Sequence, residues 1–325
     1  MAITYLKKAV KTPQTGTDKT REIVTDMLTK IEAGGEAAAL AYGQDLDGYN
    51  GDAIVSVEMI ENAGKTVSDQ LKDDIKFAYD RVTKFAEAQK ASIREFETEL
   101  SPGLWAGQKL IPIETVGCYV PGGRYAHVAS AIMSIATAKV AGVENVIACS
   151  APSGEDGPHP AILYAMNMCG ADTILSLGGV QGIAAMAFGL FTGKPARLLV
   201  GPGNRFVAEA KRMLYGRVGI DMFAGPTEIA VIADDSADAA VVAEDLVSQA
   251  EHGPDSPAWL ITTSRKLAND VMAQMDRHIN ALPETARNAA TLAWQDYGEV
   301  ILCDTDDEAA QISDEYAAEH LEVHT

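Results

Sequence analysis

Several short signals that would assign a function directly are missing from this 325-residue sequence. Its four cysteines form no CxxC pair and have no metal-ligand spacing, so they indicate reduced thiols, three of them in apolar, core-like contexts. No GxGxxG fingerprint is present, so a dinucleotide that binds this chain does so without the usual glycine loop. Every apolar stretch is broken by Gly, Lys or Asp before it could span a membrane.

Positive charge is also scarce. The chain has 26 Lys and Arg residues against 46 Asp and Glu residues, a formal net charge of -20. Nothing resembles a basic stripe, which argues against nucleic acid and against anionic membrane surfaces as partners. The N-terminus has no long apolar signal-peptide region, so the expected compartment is the cytoplasm. An arginine in a ligand-binding loop is informative against this acidic background.

The N-terminal third predicts helices followed by strands. Residues 1–20 are polar and are expected to form an arm, and a helix is expected from residue 20 to a stop at Gly34-Gly35. Two helices are predicted within residues 55–92, the second capped by Ser68. Residues 104–120 are expected to form strands with a turn at Gly107-Gln108.

From about residue 110, short apolar strands alternate with helical segments, which indicates a parallel, Rossmann-like α/β architecture. Glycine turns follow three strands and open three helices, at residues 121–123, 178–179 and 201–203. Helix N-termini of this kind hold phosphates and other anions, although ordinary strand-to-helix turns have the same composition. A second α/β segment begins at Glu228, with Leu292–Trp294 expected as one of its strands.

The stretch VPGGRYAH, residues 120–127, places Arg124, Tyr125 and His127 in a loop between a strand and a helix. Ligands of α/β proteins bind at the carboxyl ends of strands, so this loop is a candidate binding site. Arg124 is either a surface charge or a group that binds an anion.

Three further patterns contain side chains suited to catalysis or metal binding. Gln249 and His252 are three residues apart at the end of a helix, so we expect them to project from one face of that helix. They are either two metal ligands or a helix end with a capping histidine. Glu319 and His320 are adjacent after a helix, as a base and a second proton acceptor or as a solvated helix end. Thr227 follows a Gly-Pro turn, where it contacts a ligand or caps the turn.

Taken together, these segments resemble the histidinol dehydrogenase family. The resemblance rests on motifs in the family's order: VGCYVPGG (116–123), AKVAGVENV (138–146), LSLGGVQGIAAMAFG (175–189), VGPGNRFVAEAKRMLYGRVGIDMFAGPTE (200–228), SQAEHGPD (248–255) and EYAAEHLEVHT (315–325).

The resemblance implies a zinc- and NAD-dependent enzyme that oxidises a primary alcohol twice, through an aldehyde, to a carboxylate. It also implies an intertwined homodimer with two incomplete Rossmann-like domains and an active site where domains and subunits meet. We expect residues 21–122 and 229–325 to form the zinc-side domain and residues 123–228 the NAD-side domain.

Residue roles follow from the same motifs. Gln249 and His252 would be zinc ligands that also border the substrate. His320 would be the general base, and Glu319 would activate the water that attacks the aldehyde. A separate group would contact NAD, namely Tyr119, Gln181 and Asn204. Thr227 stands near the substrate, where the family usually has serine.

The sequence departs from the family pattern in two places. The family's zinc site also uses an Asp and a His beyond the EHLE motif, whereas this sequence stops at Thr325. We therefore expect the chain to lack the C-terminal region, and expect zinc binding and activity to be weak or absent in this form. His324 is a poor substitute. In addition, Arg124 and His127 replace the small residues that usually follow Pro-Gly-Gly.

Arg124 decides among the candidate substrates. Histidinol carries an ammonium group and gains little from an arginine, whereas a sulfonate or carboxylate gains a charge-assisted contact. The pattern resembles the branch that oxidises 2,3-dihydroxypropane-1-sulfonate to sulfolactate, with His127 and Thr227 as helpers to Arg124. The alternatives are oxidation of L-histidinol, oxidation of another small anionic alcohol, and an NAD-binding dimer that lacks catalysis.

Overall fold

The computed structural model describes residues 3–12, 18–122, 126–222 and 227–325. The strands are β1 (Thr4–Lys7), β2 (Phe96–Ser101), β3 (Leu104–Gln108), β4 (Thr115–Tyr119), β5 (Asn145–Ser150), β6 (Thr173–Ser176), β7 (Leu198–Val200), β8 (Gly219–Ile220), β9 (Ile229–Ala233), β10 (Ala258–Thr262), β11 (Glu299–Leu302) and β12 (His320–His324). The helices are α1 (Asp18–Asp47), α2 (Val57–Thr66), α3 (Asp69–Ser92), α4 (Val128–Ala131), α5 (Thr137–Ala141), α6 (Pro160–Met168), α7 (Gly179–Phe188), α8 (Arg205–Leu214), α9 (Ala239–Ala250), α10 (Arg265–Ala281), α11 (Glu284–Tyr297) and α12 (Asp306–Tyr316), with a π-helical turn (Ile132–Ala136) joining α4 to α5.

These elements form two compact units. The central unit comprises residues 18–122 and 126–222, and the terminal unit comprises residues 3–12 and 227–325. The grouping differs from the expected one, which joined residues 21–122 to residues 229–325. The reason is that β4 lies at the centre of the sheet of the central unit, and the helices before it pack on that sheet.

The sheet of the central unit is parallel and has the strand order β6-β5-β4-β7-β8. All five residues of β4 are buried, as expected for a strand covered by helices on both faces. The chain moves outward from β4 to β6 on one side and then returns to β7 on the other. The order therefore reverses between β4 and β7, the point where open α/β sheets form a ligand crevice.

The helical part of the central unit follows the sequence. Ser68 caps α3 by accepting a hydrogen bond from the Leu71 amide at 3.2 Å, as predicted. The predicted stop at Gly34-Gly35 is confirmed, because Gly35 has non-helical backbone angles (φ 61°, ψ −144°). A second helical stretch follows this kink directly and continues to Asp47, so α1 consists of two helices joined at Gly35.

A separate hairpin, β2–β3, precedes β4. Its turn lies at Pro102-Gly103, where Gly103 has φ +81°, so the predicted turn at Gly107-Gln108 is wrong. Gly107 is instead paired in the strand opposite Glu97. A positive φ is what a glycine offers to a tight turn, and the sequence contains two candidate glycines four residues apart.

The sheet of the terminal unit has the order β1-β11-β10-β9-β12, parallel except for β1. Three expectations are corrected here. The N-terminal arm contains an edge strand, β1; Leu292–Trp294 belong to helix α11 rather than to a strand; and His320–His324 form strand β12 rather than a helix end. In the described parts of the chain, no helix is long and apolar enough to cross a membrane.

One glycine in the central unit is fixed by a close backbone approach. Gly201 has φ +113°, and a Cβ built on it would lie 2.1 Å from the Tyr119 carbonyl oxygen. Gly216 has a similar φ of +98° but nothing within 4 Å of such a Cβ.

We expect Gly216→Ala to lower the free energy of unfolding by about 1–2 kcal/mol, because alanine is strained at a positive φ. We expect Gly201→Ala to lower it by about 1–3 kcal/mol more, because its Cβ would also be overpacked. Urea unfolding of both variants measures the difference, and equal losses would contradict the reading of Gly201.

Candidate active site

The carboxyl edge of the central sheet brings the three predicted NAD-contacting residues together. Tyr119 ends β4 and is buried, Gln181 lies in the first turn of α7, and Asn204 is the exposed N-cap of α8. The Gly179 amide donates to the Tyr119 hydroxyl at 3.0 Å, which joins the turn after β6 to the end of β4. Burial raises the pKa of Tyr119, so this phenol stays neutral.

The turn after β7 is held by an ion pair between a buried lysine and an exposed aspartate. Lys211 of α8 is 3% exposed, pairs with Asp221, and donates to the Gly201 carbonyl oxygen at 2.9 Å. The other carboxylate oxygen of Asp221 accepts from the Gly201 amide at 2.8 Å. Both backbone groups of Gly201 are therefore bound, and the turn that presents Asn204 is rigid. The sequence reading missed Lys211 and Asp221, because both appear there as ordinary charges of a helix and a loop.

In the two glycine turns that the structure describes in full, backbone amides that could bind an anion already donate hydrogen bonds to groups of the chain. At residues 178–179, the Gly179 amide is already bound by Tyr119, and a carboxylate from Asp47 accepts from Gly178. At the start of α8, the Asn204 side chain accepts from the amides of Phe206 and Val207. The expectation that these helix N-termini hold a phosphate therefore does not apply to those amides. Gly123 of the first turn lies outside the described residues.

The predicted substrate residues of the same unit are only partly described. Arg124 and its neighbour Tyr125 lie outside the described residues. His127 precedes α4 and is partly exposed. The role of Arg124 thus rests on the sequence.

In the terminal unit, the predicted catalytic residues gather at the amino edge of the sheet. His320 begins β12, and its Nδ1 lies 2.9 Å from Nε2 of Gln249 on α9 and 3.1 Å from the Glu228 carbonyl oxygen. Glu319 precedes it, with a carboxylate oxygen 3.9 Å from Nδ1. Nδ1 serves one of these two contacts at a time, because the Gln249 amide N–H donates only to an unprotonated Nδ1, whereas the Glu228 carbonyl oxygen accepts only from a protonated one. The tautomer with the proton on Nδ1 leaves the lone pair on Nε2, so a base role at Nε2 goes with the Glu228 contact.

Thr227 and His252 are close in sequence to residues that lie at this edge. Thr227 is partly exposed and directly precedes Glu228. His252 lies in the turn after α9, where its amide donates to the Gln249 carbonyl, so the expected shared helix face is not what joins it to Gln249. Burial raises the pKa of the Glu228 carboxyl. The sequence analysis did not predict a role for this residue.

A second polar group lies along α9 and β12. Asp245, Glu322 and His324 each place a possible ligand atom within 4.8 Å of the others. His324 Nε2 lies 3.2 Å from Asp245 and 3.3 Å from Glu322, which is also the arrangement of an imidazole ion-paired with two acids. The period-two spacing of Glu322 and His324 places both on one face of β12, whereas no local pattern marks Asp245 of α9 as their partner.

The residues proposed for zinc supply two donors in the terminal unit, the amide of Gln249 and the imidazole of His252. Gln249 is 9% exposed, and its amide nitrogen lies 2.9 Å from Nδ1 of His320. An oxygen and a nitrogen donor fit zinc chemically, as one half of a four-ligand site.

The cysteines provide no nucleophile. All four are buried, and burial raises the pKa of Cys118 to about 12 and also that of Cys149, Cys169 and Cys303. A thiolate is the reactive form, so a covalent thiol mechanism is disfavoured at neutral pH. The reduced, buried state predicted from the sequence is confirmed.

Comparison with known proteins identifies the family. The profile described as histidinol dehydrogenase matches residues 10–325. The chain belongs to the histidinol dehydrogenase family. A histidinol dehydrogenase homolog of Pelagibacter ubique is 60% identical over 326 residues, covering 100% of this chain and 76% of that protein. The sulfopropanediol 3-dehydrogenase of Ruegeria pomeroyi is 54% identical, covering 99% of this chain and 74% of that protein.

A solved structure agrees with the fold. The crystal structure of histidinol dehydrogenase from Elizabethkingia anophelis superposes with a TM-score of 0.90 at 33% identity, covering 97% of this chain and 72% of that one. The expected α/β fold with parallel sheets and a helical N-terminal segment is confirmed. Membership of the histidinol dehydrogenase family makes the protein an NAD-dependent oxidoreductase of CH–OH groups.

The Asp245–Glu322 contact generates a pH prediction. Burial and the neighbouring Glu322 raise the pKa of Asp245 above its ordinary 3.8. The stabilisation from protonated Asp245 is therefore present below that value and lost as the pH rises through the raised pKa. We expect Asp245→Asn to be more stable than the natural chain at pH 7 and to lose this advantage near pH 4.

Chemical unfolding across that pH range measures the effect. Asp235→Asn, at an exposed acid of the same unit, is the matched control and should show no such trend. An Asp245→Asn variant that is less stable at pH 7, or a difference independent of pH, would contradict the assignment.

Proposed function

We propose that the protein oxidises the primary alcohol of 2,3-dihydroxypropane-1-sulfonate to sulfolactate, through the aldehyde. The observation that carries the proposal is Arg124 in VPGGRYAH, in a chain that is 54% identical to a sulfopropanediol 3-dehydrogenase. A fixed guanidinium binds a sulfonate through charge-assisted hydrogen bonds, whereas it would repel the ammonium group of histidinol. His127 and Thr227 are proposed to assist it.

The cofactor is proposed to lie on the carboxyl edge of the central sheet. Support comes from Tyr119 at the end of β4 and from Gln181 and Asn204 in the helices that follow β6 and β7, since the strand order reverses between β4 and β7. The Lys211–Asp221 pair keeps the backbone beside them rigid, which lowers the entropy lost when the nucleotide binds.

The chemistry is proposed to use the terminal unit. His320 removes the hydroxyl proton at Nε2, oriented by the hydrogen bond from Nδ1 to the Glu228 carbonyl oxygen, and Glu319 takes a proton from the water that adds to the aldehyde. When bound, NAD accepts hydride, and zinc held by Gln249 and His252 supplies Lewis-acid polarisation of the substrate oxygen. Two such oxidations remove four electrons, so each alcohol consumes two NAD and one water.

The second candidate is oxidation of L-histidinol to L-histidine. It is favoured by the superposition on a histidinol dehydrogenase structure at a TM-score of 0.90. It requires that Arg124 does not face the substrate. In either case we propose that the active form is a homodimer with a small-molecule substrate and no nucleic-acid partner.

A side-by-side assay tests the proposal. NADH formation is measured with zinc present and either the sulfonate or L-histidinol, on protein whose oligomeric state is determined by light scattering. We expect turnover of the sulfonate. We also expect Arg124→Ala to raise its KM about 10- to 100-fold, the range for losing a charged hydrogen bond.

Arg94→Ala, at an exposed arginine of the same unit, is the matched control and should leave KM unchanged. Turnover of histidinol alone, or an Arg124→Ala variant with unchanged KM for the sulfonate, would contradict the proposed substrate.

A further inference from the structure

The last residue of α1 occupies the start of α7. The Asp47 carboxylate accepts a hydrogen bond from Nε2 of Gln181 at 2.9 Å and another from the Gly178 backbone. The Gly179 amide, at the start of this ten-residue helix, is bound by the Tyr119 hydroxyl, so the Gly178 and Gly179 amides are both satisfied from within the chain. A negative group therefore stands at the start of α7.

Asp47 also determines which way the Gln181 amide faces. Gln181 is 1% exposed, and its Oε1 has no hydrogen-bond partner among the described residues. Turning the amide over would place Oε1 against the carboxylate, so the oxygen is fixed as an unused acceptor. A buried acceptor without a partner favours a ligand that donates a hydrogen bond, such as a hydroxyl or a carboxamide.

A pocket follows Asp47 in the chain. It has a volume of about 330 Å³ and is lined by Gly48, Asn50, Gly51 and Glu155. Among the described residues that line it, one carries a carboxylate and none carries a positive charge. A sugar hydroxyl can donate to such groups, whereas a phosphate on the same sugar would meet like charge.

We propose that Asp47 is a positioning and specificity-determining residue, which orients the Gln181 amide and selects the hydroxyl-bearing ribose of NAD over the 2′-phosphate-bearing ribose of NADP. The inference rests on the proposed use of this edge by a nicotinamide dinucleotide. Asp47 lies 134 positions before Gln181 in the chain. The role proposed for it is the one that an acidic residue has in Gly-rich dinucleotide folds, where it binds the ribose 2′-hydroxyl of NAD.

Two substitutions separate charge from positioning. Asp47→Asn keeps an acceptor for Gln181 and Gly178 but removes the charge, so NADP should bind more tightly while NAD changes little. Asp47→Ala removes both, so NAD should also bind more weakly. In each variant we expect the ratio of NAD affinity to NADP affinity to fall about tenfold or more, because like-charge repulsion no longer excludes the phosphate.

The readout is the dissociation constant of each nucleotide, measured by calorimetric titration of the whole chain, so that turnover is not required. Asp45→Asn, an exposed acid two residues earlier in α1, is the matched control and should leave the ratio unchanged. An unchanged ratio in a folded Asp47→Asn variant would overturn the inference while leaving NAD binding intact. Failure of the natural chain to bind either nucleotide would overturn the proposed function itself, and the inference with it.

Discussion

The hydrogen bond from the Gly179 amide to the Tyr119 hydroxyl is the contact on which the cofactor edge depends. Tyr119 ends the central strand β4, and its side chain reaches the turn after β6 while its carbonyl oxygen sits against Gly201 in the turn after β7. One buried residue thus contacts both glycine turns that the structure describes in full. Because its hydroxyl is buried and neutral, the contact persists over the physiological pH range.

The two units use their sheets differently. In the central unit, the proposed cofactor residues lie at the carboxyl ends of the strands, the usual position for ligands of α/β folds. In the terminal unit, His320 and Glu228 lie where β12 and β9 begin, and Gln249 reaches them from the end of α9. This follows from the antiparallel run of α9 along β9, which returns its last turn to the amino edge of the sheet.

Much of the fold could be predicted from the sequence, because strand length and glycine turns are local signals. The parallel rhythm and the Ser68 cap follow from such signals. The grouping of Tyr119, Gln181 and Asn204 is implied by the family resemblance and not by a local signal. Leu292–Trp294 could not be assigned correctly, since a short apolar run fits a strand or a buried helix equally well. Strand β1 forms by pairing with β11, which lies near the other end of the chain. No local pattern in the sequence identifies that partner.

The catalytic side of the site was predictable by residue type but not by contact. Gln249 and His320 were each singled out, and the structure brings them within 2.9 Å of each other, while their roles stay predictions. No motif marks Asp47, Lys211 or Asp221 in the sequence. Each of them acts through a partner that only the folded chain brings close.

Hydrogen–deuterium exchange with and without NAD tests the central claim most directly, namely that the carboxyl edge of the central sheet is the cofactor site. We expect NAD to slow hydrogen–deuterium exchange at residues 119–122, 178–182 and 201–205, with little change in the β2–β3 hairpin. Slowed exchange confined to other segments, or no change at saturating NAD, would contradict it.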